Sequence, residues 1–211
     1  ALAEPRTHET LLRRLTGEYV ADPSNAAITM LYDVGGQDWS DELLATAGIT
    51  RARLSPLAPS GAAIGRVLPD AARELGLPPG VLAVNGAHDQ YCAALGAGVI
   101  HAGDTLVGSG TAWVLLFAAD RPLFDAGQVF HPGPHVTAGL WGALSSIPSA
   151  GASVEWYLRQ AAVTGDDKYR WLNDGAARSP VGSKGLLFFP HLSGSYSAAG
   201  DRPVRGGWIG L

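Results

Sequence analysis

The stretch Val81-Leu82-Ala83-Val84-Asn85-Gly86-Ala87-His88-Asp89-Gln90 decides how this chain is read. Its four apolar residues read as a short strand of the kind buried on both faces in an α/β sheet. The strand runs into a loop of small residues that carries one acid, and a small-residue helix is expected over residues 91–98. In α/β proteins the reacting groups lie just past the carboxyl ends of strands. Gly86 and Ala87 leave room for a ligand against the backbone. Asp89 can accept a proton from a hydroxyl, and Gln90 can donate and accept hydrogen bonds. The same carboxylate also suits a helix cap, so both roles stand at this point.

Upstream, residues 7–15 read as a short helix with Leu11, Leu12 and Leu15 on one face, ended at Gly17. Residues 22–25 (Asp-Pro-Ser-Asn) form a turn cluster. Ser40 is a plausible N-cap for a helix that starts with Asp41 and Glu42 and exits at Gly48. Residues 54–65 read as an extended connection, and a third helix spans 69–75 and ends at Gly76. Downstream, residues 104–117 read as a β-hairpin turning at Gly108-Ser109-Gly110. Residues 140–147 read as a strand, 149–162 as a helix and 185–189 as a last strand, with a Gly-rich tail. Cys92, Trp113 and Trp156 read as core residues. His131 and His135 read as loop residues around Pro132-Gly133-Pro134.

Composition narrows the class. The chain has 211 residues and a formal net charge of −4, with 46% hydrophobic residues. The absence of a basic block argues against nucleic acid as a partner. The longest apolar run, residues 112–119, is far below the roughly 20 residues of a membrane helix. The single cysteine excludes an internal disulfide and suits a reducing cytoplasm. With 28 Gly and 14 Pro the chain fits a loop-rich α/β architecture better than a helical bundle.

Two further elements can carry chemistry. In Gly108-Ser109-Gly110-Thr111 the glycines let successive N–H groups converge on an anion, and both hydroxyls can donate to phosphate oxygens. An ordinary hairpin turn explains the same residues. Ala150-Gly151-Ala152 opens a helix whose free N–H groups and dipole could face a nucleotide, or serve only as a helix start. No dinucleotide fingerprint, P-loop, nucleophile elbow or zinc helix is present.

Taken in order, these segments resemble the FGGY family of carbohydrate kinases, which includes xylulokinase-like, ribulokinase-like and glycerol kinase-like enzymes. Leu15-Thr16-Gly17 followed by Asp22-Pro23-Ser24-Asn25-Ala26-Ala27-Ile28-Thr29 is similar to its LTG…D-x-S-x-A-x-T segment. Gly86-Ala87-His88-Asp89-Gln90 is similar to its G-G-x-D-[QNT] motif, and Gly110-Thr111-Ala112 to its phosphate loop. Residues 150–156 match its nucleotide-side helix. Phe189-Pro190, Gly194, Asp201-Arg202-Pro203, Arg205-Gly206 and Gly210-Leu211 follow its later motifs. His88 replaces the commoner Gly, and Ser195 stands where Glu usually follows Gly194.

The resemblance implies an α/β, actin-like (ribonuclease H-like) two-lobed fold of which the chain carries parts of both lobes. Residues 1–86 would close the N-terminal sugar-binding lobe and 87–211 would begin the C-terminal ATP-binding lobe. It implies ATP-dependent phosphorylation of a ketopentose or related polyol by the parent protein. Asp89 would be the general base and a water-mediated Mg²⁺ contact, with Gln90 and His88 holding the sugar. Ser109, Gly110, Thr111, Gly151 and Glu155 would hold ATP. The family's first phosphate loop and its adenine motif are not among the 211 residues, and Ala1 is not a Met, so a central piece of a longer protein is expected. On its own such a piece would be an incomplete sugar- or nucleotide-binding fragment. Sugar and ATP are the partners expected, without nucleic acid or membrane; self-association as a homodimer is left open.

Overall fold

Helix α1 (Thr7–Thr16) leads the described chain. The computed structural model describes residues 7–127, 129–194 and 204–210. By its internal contacts the chain divides into two units. The first holds the described residues up to 106 with 116–124 and 130–144; the second holds those of 107–115, 125–129 and 145–211.

The first unit continues with α2 (Pro23–Ala27), β1 (Tyr32–Asp33), β2 (Asp38–Trp39), α3 (Asp41–Ala47), β3 (Ala63–Arg66), α4 (Pro69–Leu75), β4 (Leu82–Val84) and α5 (Asp89–Gly96). Residues 22–25 are more than a turn. Asp22 caps α2 by accepting from the backbone N–H of Ser24 (3.0 Å) and Asn25 (3.1 Å), and Pro23 occupies the first helical position. In α3 the Ser40 hydroxyl accepts from Leu43 N–H, and Gly48 ends the helix at φ 67°. α4 ends in the same way at Gly76. Tyr32, Trp39 and Leu44 anchor one apolar cluster, and Leu12, Val67, Ala72 and Ala83 a second.

The expectation of a strand buried on both faces fails at β4. Leu82 and Val84 are each 56% exposed, and only Ala83 is buried. β4 pairs antiparallel with β3 in a two-stranded sheet. Alternate side chains of a strand point to opposite faces, and the face carrying Ala83 is the one packed with α1 and α4.

The chain then forms β5 (Thr105–Ser109), β6 (Trp113–Ala119), β7 (His131–Pro134) and β8 (Trp141–Ile147), a four-stranded sheet ordered β5-β6-β8-β7. The 131–134 segment is therefore a strand, not a loop. It is an edge strand, the place where a sheet tolerates proline. Gly133 and Gly142 face each other in the β7–β8 register. A Cβ on Gly142 would lie 2.4 Å from Tyr91 Cε1, and one on Gly133 would lie 3.0 Å from its hydroxyl. The paired glycines thus make the space that the buried Tyr91 ring occupies, and burial raises the pKa of that phenol. Tyr91, Ala94, Val99, Leu116 and Ala118 form the third cluster. On the same helix Cys92 is exposed, not core, because it lies off the face that carries Tyr91 and Ala94.

The second unit adds α6 (Ala150–Gln160), α7 (Lys168–Arg178), β9 (Leu187–Phe189) and β10 (Gly207–Ile209), with β9 and β10 antiparallel. Neither α7 nor β10 was expected from the sequence. Trp156 stacks on Phe188 at 6.1 Å between ring centroids, and Phe188 meets Trp208 at 4.5 Å. Trp113 is 44% exposed, contrary to its expected core role, and lines an apolar groove with Trp208. Ser195 and Asp201-Arg202-Pro203 lie outside the described residues. No helix among the described residues is long and apolar enough to cross a membrane.

Candidate functional site

The first group of site residues stands at the start of α5. Residues 85–88 connect β4 to this helix, and Asn85 is buried with its amide donating to Ala58 O at 2.8 Å. His88 N–H donates to Ser24 Oγ at 2.9 Å, which ties the loop to α2. His88 is the N-cap: its Nδ1 accepts from Gln90 N–H at 3.3 Å. Asp89 is the first helical residue, and its Oδ1 accepts the same N–H at 2.7 Å. The cap role considered for Asp89 thus falls to His88. The Asp89 carboxylate is left 81% exposed, beside His88 Nδ1 at 3.2 Å, in the first turn of a helix whose dipole favours an anion there.

The second group gathers around the first turn of α6. Gly110, Thr111, Gly151, Ala152, Glu155, Arg159 and Tyr169 line one pocket of about 420 Å³. Residues 110–112 link β5 to β6, and Gly110 N–H donates to Ala112 O at 3.1 Å. A Cβ on Gly151 would lie 2.1 Å from Gly110 O, so only glycine lets the turn and the helix approach this closely. The N–H groups of a first helical turn have no acceptor within the helix. That of Ala152 is used structurally, donating to Thr111 O at 3.0 Å. Ser109 ends β5 as an exposed residue just before this corner.

Gly151, Glu155 and Arg159 follow one another at intervals of four along α6, so all three face the same pocket. The Glu155 carboxylate is held from α7. It accepts a hydrogen bond from the Tyr169 hydroxyl and pairs with Lys168 Nζ at 2.9 Å. The Tyr169 hydrogen bond, then Lys168, keeps its pKa below the usual glutamate range, and the Lys168 ammonium is raised in turn. Sequence reading singled out Glu155 but not Arg159 and Tyr169, which line the same pocket, nor Lys168, which pairs with Glu155.

The family model described as FGGY family of carbohydrate kinases, N-terminal domain, matches residues 6–96, ending on the last residue of α5. Over 185 residues the chain is 35% identical to autoinducer-2 kinase of Yersinia pestis (strain Pestoides F), a match covering 84% of this chain and 35% of that protein. The chain belongs to the FGGY family of carbohydrate kinases. Xylulose kinase from Rhodospirillum rubrum superposes with a TM-score of 0.87 at 27% identity, covering 97% of this chain and 41% of that one. Gluconate kinase from Lactobacillus acidophilus superposes with a TM-score of 0.88 at 25% identity over the same shares. This FGGY chain therefore carries part of the actin-like, ribonuclease H-like α/β fold and spans well under half the length of these relatives.

The eight expected site residues of the FGGY chain fall into two sets. Asp89, Gln90 and His88 belong to the first unit, and Ser109, Gly110, Thr111, Gly151 and Glu155 to the second. Within the second set the pocket brings together all but Ser109.

Proposed function

We propose that the whole protein transfers the terminal phosphoryl group of ATP to a hydroxyl of a ketopentose or related polyol. The sugar oxygen attacks the phosphorus, its proton passes to the Asp89 carboxylate, and ADP departs. The observation that carries this reading is the corner where Gly151 meets the Gly110 carbonyl, with Thr111 and Glu155 in the same pocket. Phosphoryl transfer needs positioning and charge stabilisation more than covalent chemistry from the protein. Thr111 and the first turn of α6 would meet the phosphates, and the anionic Glu155 would face the nucleoside. Asp89, solvent-facing at a helix start, is available as base, with Gln90 and His88 beside it to hold the sugar. In this reading residues 1–86 close a sugar-binding lobe, residues 87–211 begin an ATP-binding lobe, and the protein works in the cytoplasm.

Mg²⁺ fits what is present. It keeps several waters and is held by one or two carboxylates with substrate phosphates, not by an all-protein cage. Among the described residues no group of three or more His, Cys, Asp or Glu gathers for a metal, and the exposed Asp89 carboxylate can reach a hydrated ion through water. The ion would neutralise phosphate charge.

The test is Asp89→Asn in the whole protein. Phosphorylation of a panel including xylulose and autoinducer-2 should fall at least about 10²-fold, with ATP binding retained. Undiminished turnover would remove Asp89 from this role. For the 211 residues alone the second reading is a sugar- or nucleotide-binding segment without turnover, favoured by the 35% and 41% shares of the relatives' lengths. Calorimetric titration with ATP and Mg²⁺ tests it.

A further inference from the structure

The first unit holds a second pocket, of about 390 Å³, that contains none of Asp89, Gln90 or His88. Ser24, Tyr32, Leu57, His135 and Trp141 are among its walls. Three of these residues carry a buried polar atom with no hydrogen-bond partner: Tyr32 Oη, His135 Nε2 and Trp141 Nε1. Only seven side-chain atoms are in that condition among the described residues, so three around one pocket is a concentration that asks for a cause.

All three are donors. An indole N–H can only donate. Burial, with Asp38 and Asp33 nearby, pushes the Tyr32 phenol up to about 12, so it keeps its proton. His135 Nδ1 accepts from Thr137 N–H at 3.0 Å, which assigns the proton of the neutral ring to Nε2. Burial lowers the pKa of this imidazole and so favours that neutral form. No Asp, Glu, Lys or Arg lines the pocket. A cation would meet these three donors and no carboxylate. An anion would find no countercharge, with Asp33 and Asp38 flanking Tyr32. An apolar guest would leave the three donors unpaired. What satisfies the walls is a neutral molecule with several acceptors and C–H faces to lie on aromatic and aliphatic surfaces.

We propose that this pocket is a second binding site, for a small neutral polyol or sugar, separate from the residues assigned to phosphoryl transfer. The three polar atoms are shielded from solvent, so a guest reaches them only where the rings turn to meet it. Ser24 gives the site a link to function, since its hydroxyl accepts the His88 N–H that precedes Asp89.

The test is a ¹H–¹⁵N NMR titration of the 211-residue chain with ribitol, following the Trp141 indole N–H, assigned with Trp141→Phe or by triple resonance. A saturable shift of that resonance is expected, weakened about 2–10-fold in Tyr32→Phe. This variant keeps the ring and removes a hydroxyl that has no partner, so folding is retained. Asp89→Asn should leave the titration unchanged. A non-saturating shift, equal movement of every indole, unchanged affinity in Tyr32→Phe, loss of the shift in Asp89→Asn, or equally tight binding of sulfate would each overturn the proposal.

Discussion

Replacing Gly151 by alanine sets two opposing effects against each other. Alanine is the better helix former by about 0.8–1.0 kcal/mol, yet its Cβ would sit 2.1 Å from Gly110 O, 3.0 Å from Gly110 C and 3.4 Å from Thr111 Cα. All three atoms are backbone, so no side chain can rotate away. A carbon–oxygen contact needs at least about 3.3 Å, so the turn must retreat by roughly 1 Å. That stretches the Ala152 N–H bond to Thr111 O, now 3.0 Å. Overpacking costs about 1–3 kcal/mol and a lost hydrogen bond about 0.5–1.5, so the net loss is about 1–3 kcal/mol. For a unit of this size that lowers the melting midpoint by on the order of 5–20 °C. The matched control is Gly175→Ala in α7, where nothing lies within 4 Å of the added Cβ. It should gain up to about 1 kcal/mol. Thermal unfolding followed by circular dichroism reads both. A Gly151→Ala protein as stable as the wild type would refute the close-approach reasoning.

Asp22→Ala removes a fully buried carboxylate that accepts from Ser24 and Asn25, and should cost about 2–4 kcal/mol in urea unfolding while Asp22→Asn costs less. Because the folded Glu155 pKa lies below the ordinary 4.5, its pairing stabilises above that value and is lost as the pH falls through the lowered one. Urea midpoints of Lys168→Met should therefore trail the wild type near neutrality and converge with it in acid. His135 is less basic folded than its ordinary 6.5, so the unfolded chain binds the proton first and stability declines as the pH drops below that value. The decline should be shallower in His135→Phe, measured by the same melts across pH.

Elements whose signals are local could be read from the chain. Ser40 and Gly48 bracket α3, and Pro69 and Gly76 bracket α4, because caps and left-handed glycines act within one turn. Features that depend on distant partners could not. The exposure of Leu82 and Val84 depends on which face of the β3–β4 pair α1 and α4 cover, and β7 exists because β8 supplies a ladder for a segment holding two prolines. Gly151 was singled out for the N–H groups of its turn, yet it is also required by the carbonyl of Gly110, far off in sequence. Glu155 stood out in its motif, but its clamp comes from Lys168 and Tyr169, 13 and 14 residues on.

The two prolines of β7 have a consequence for neighbouring molecules. Pro132 and Pro134 share one parity, so the donors that bind β7 to β8 come from His131 and Gly133. On the outer rim of the sheet the positions that would offer N–H groups are occupied by residues that have none. A strand from another chain arriving there finds carbonyls but no donors at these positions. With α2 packed against β7 as well, this rim is a poor template for the edge-to-edge joining by which exposed strands aggregate.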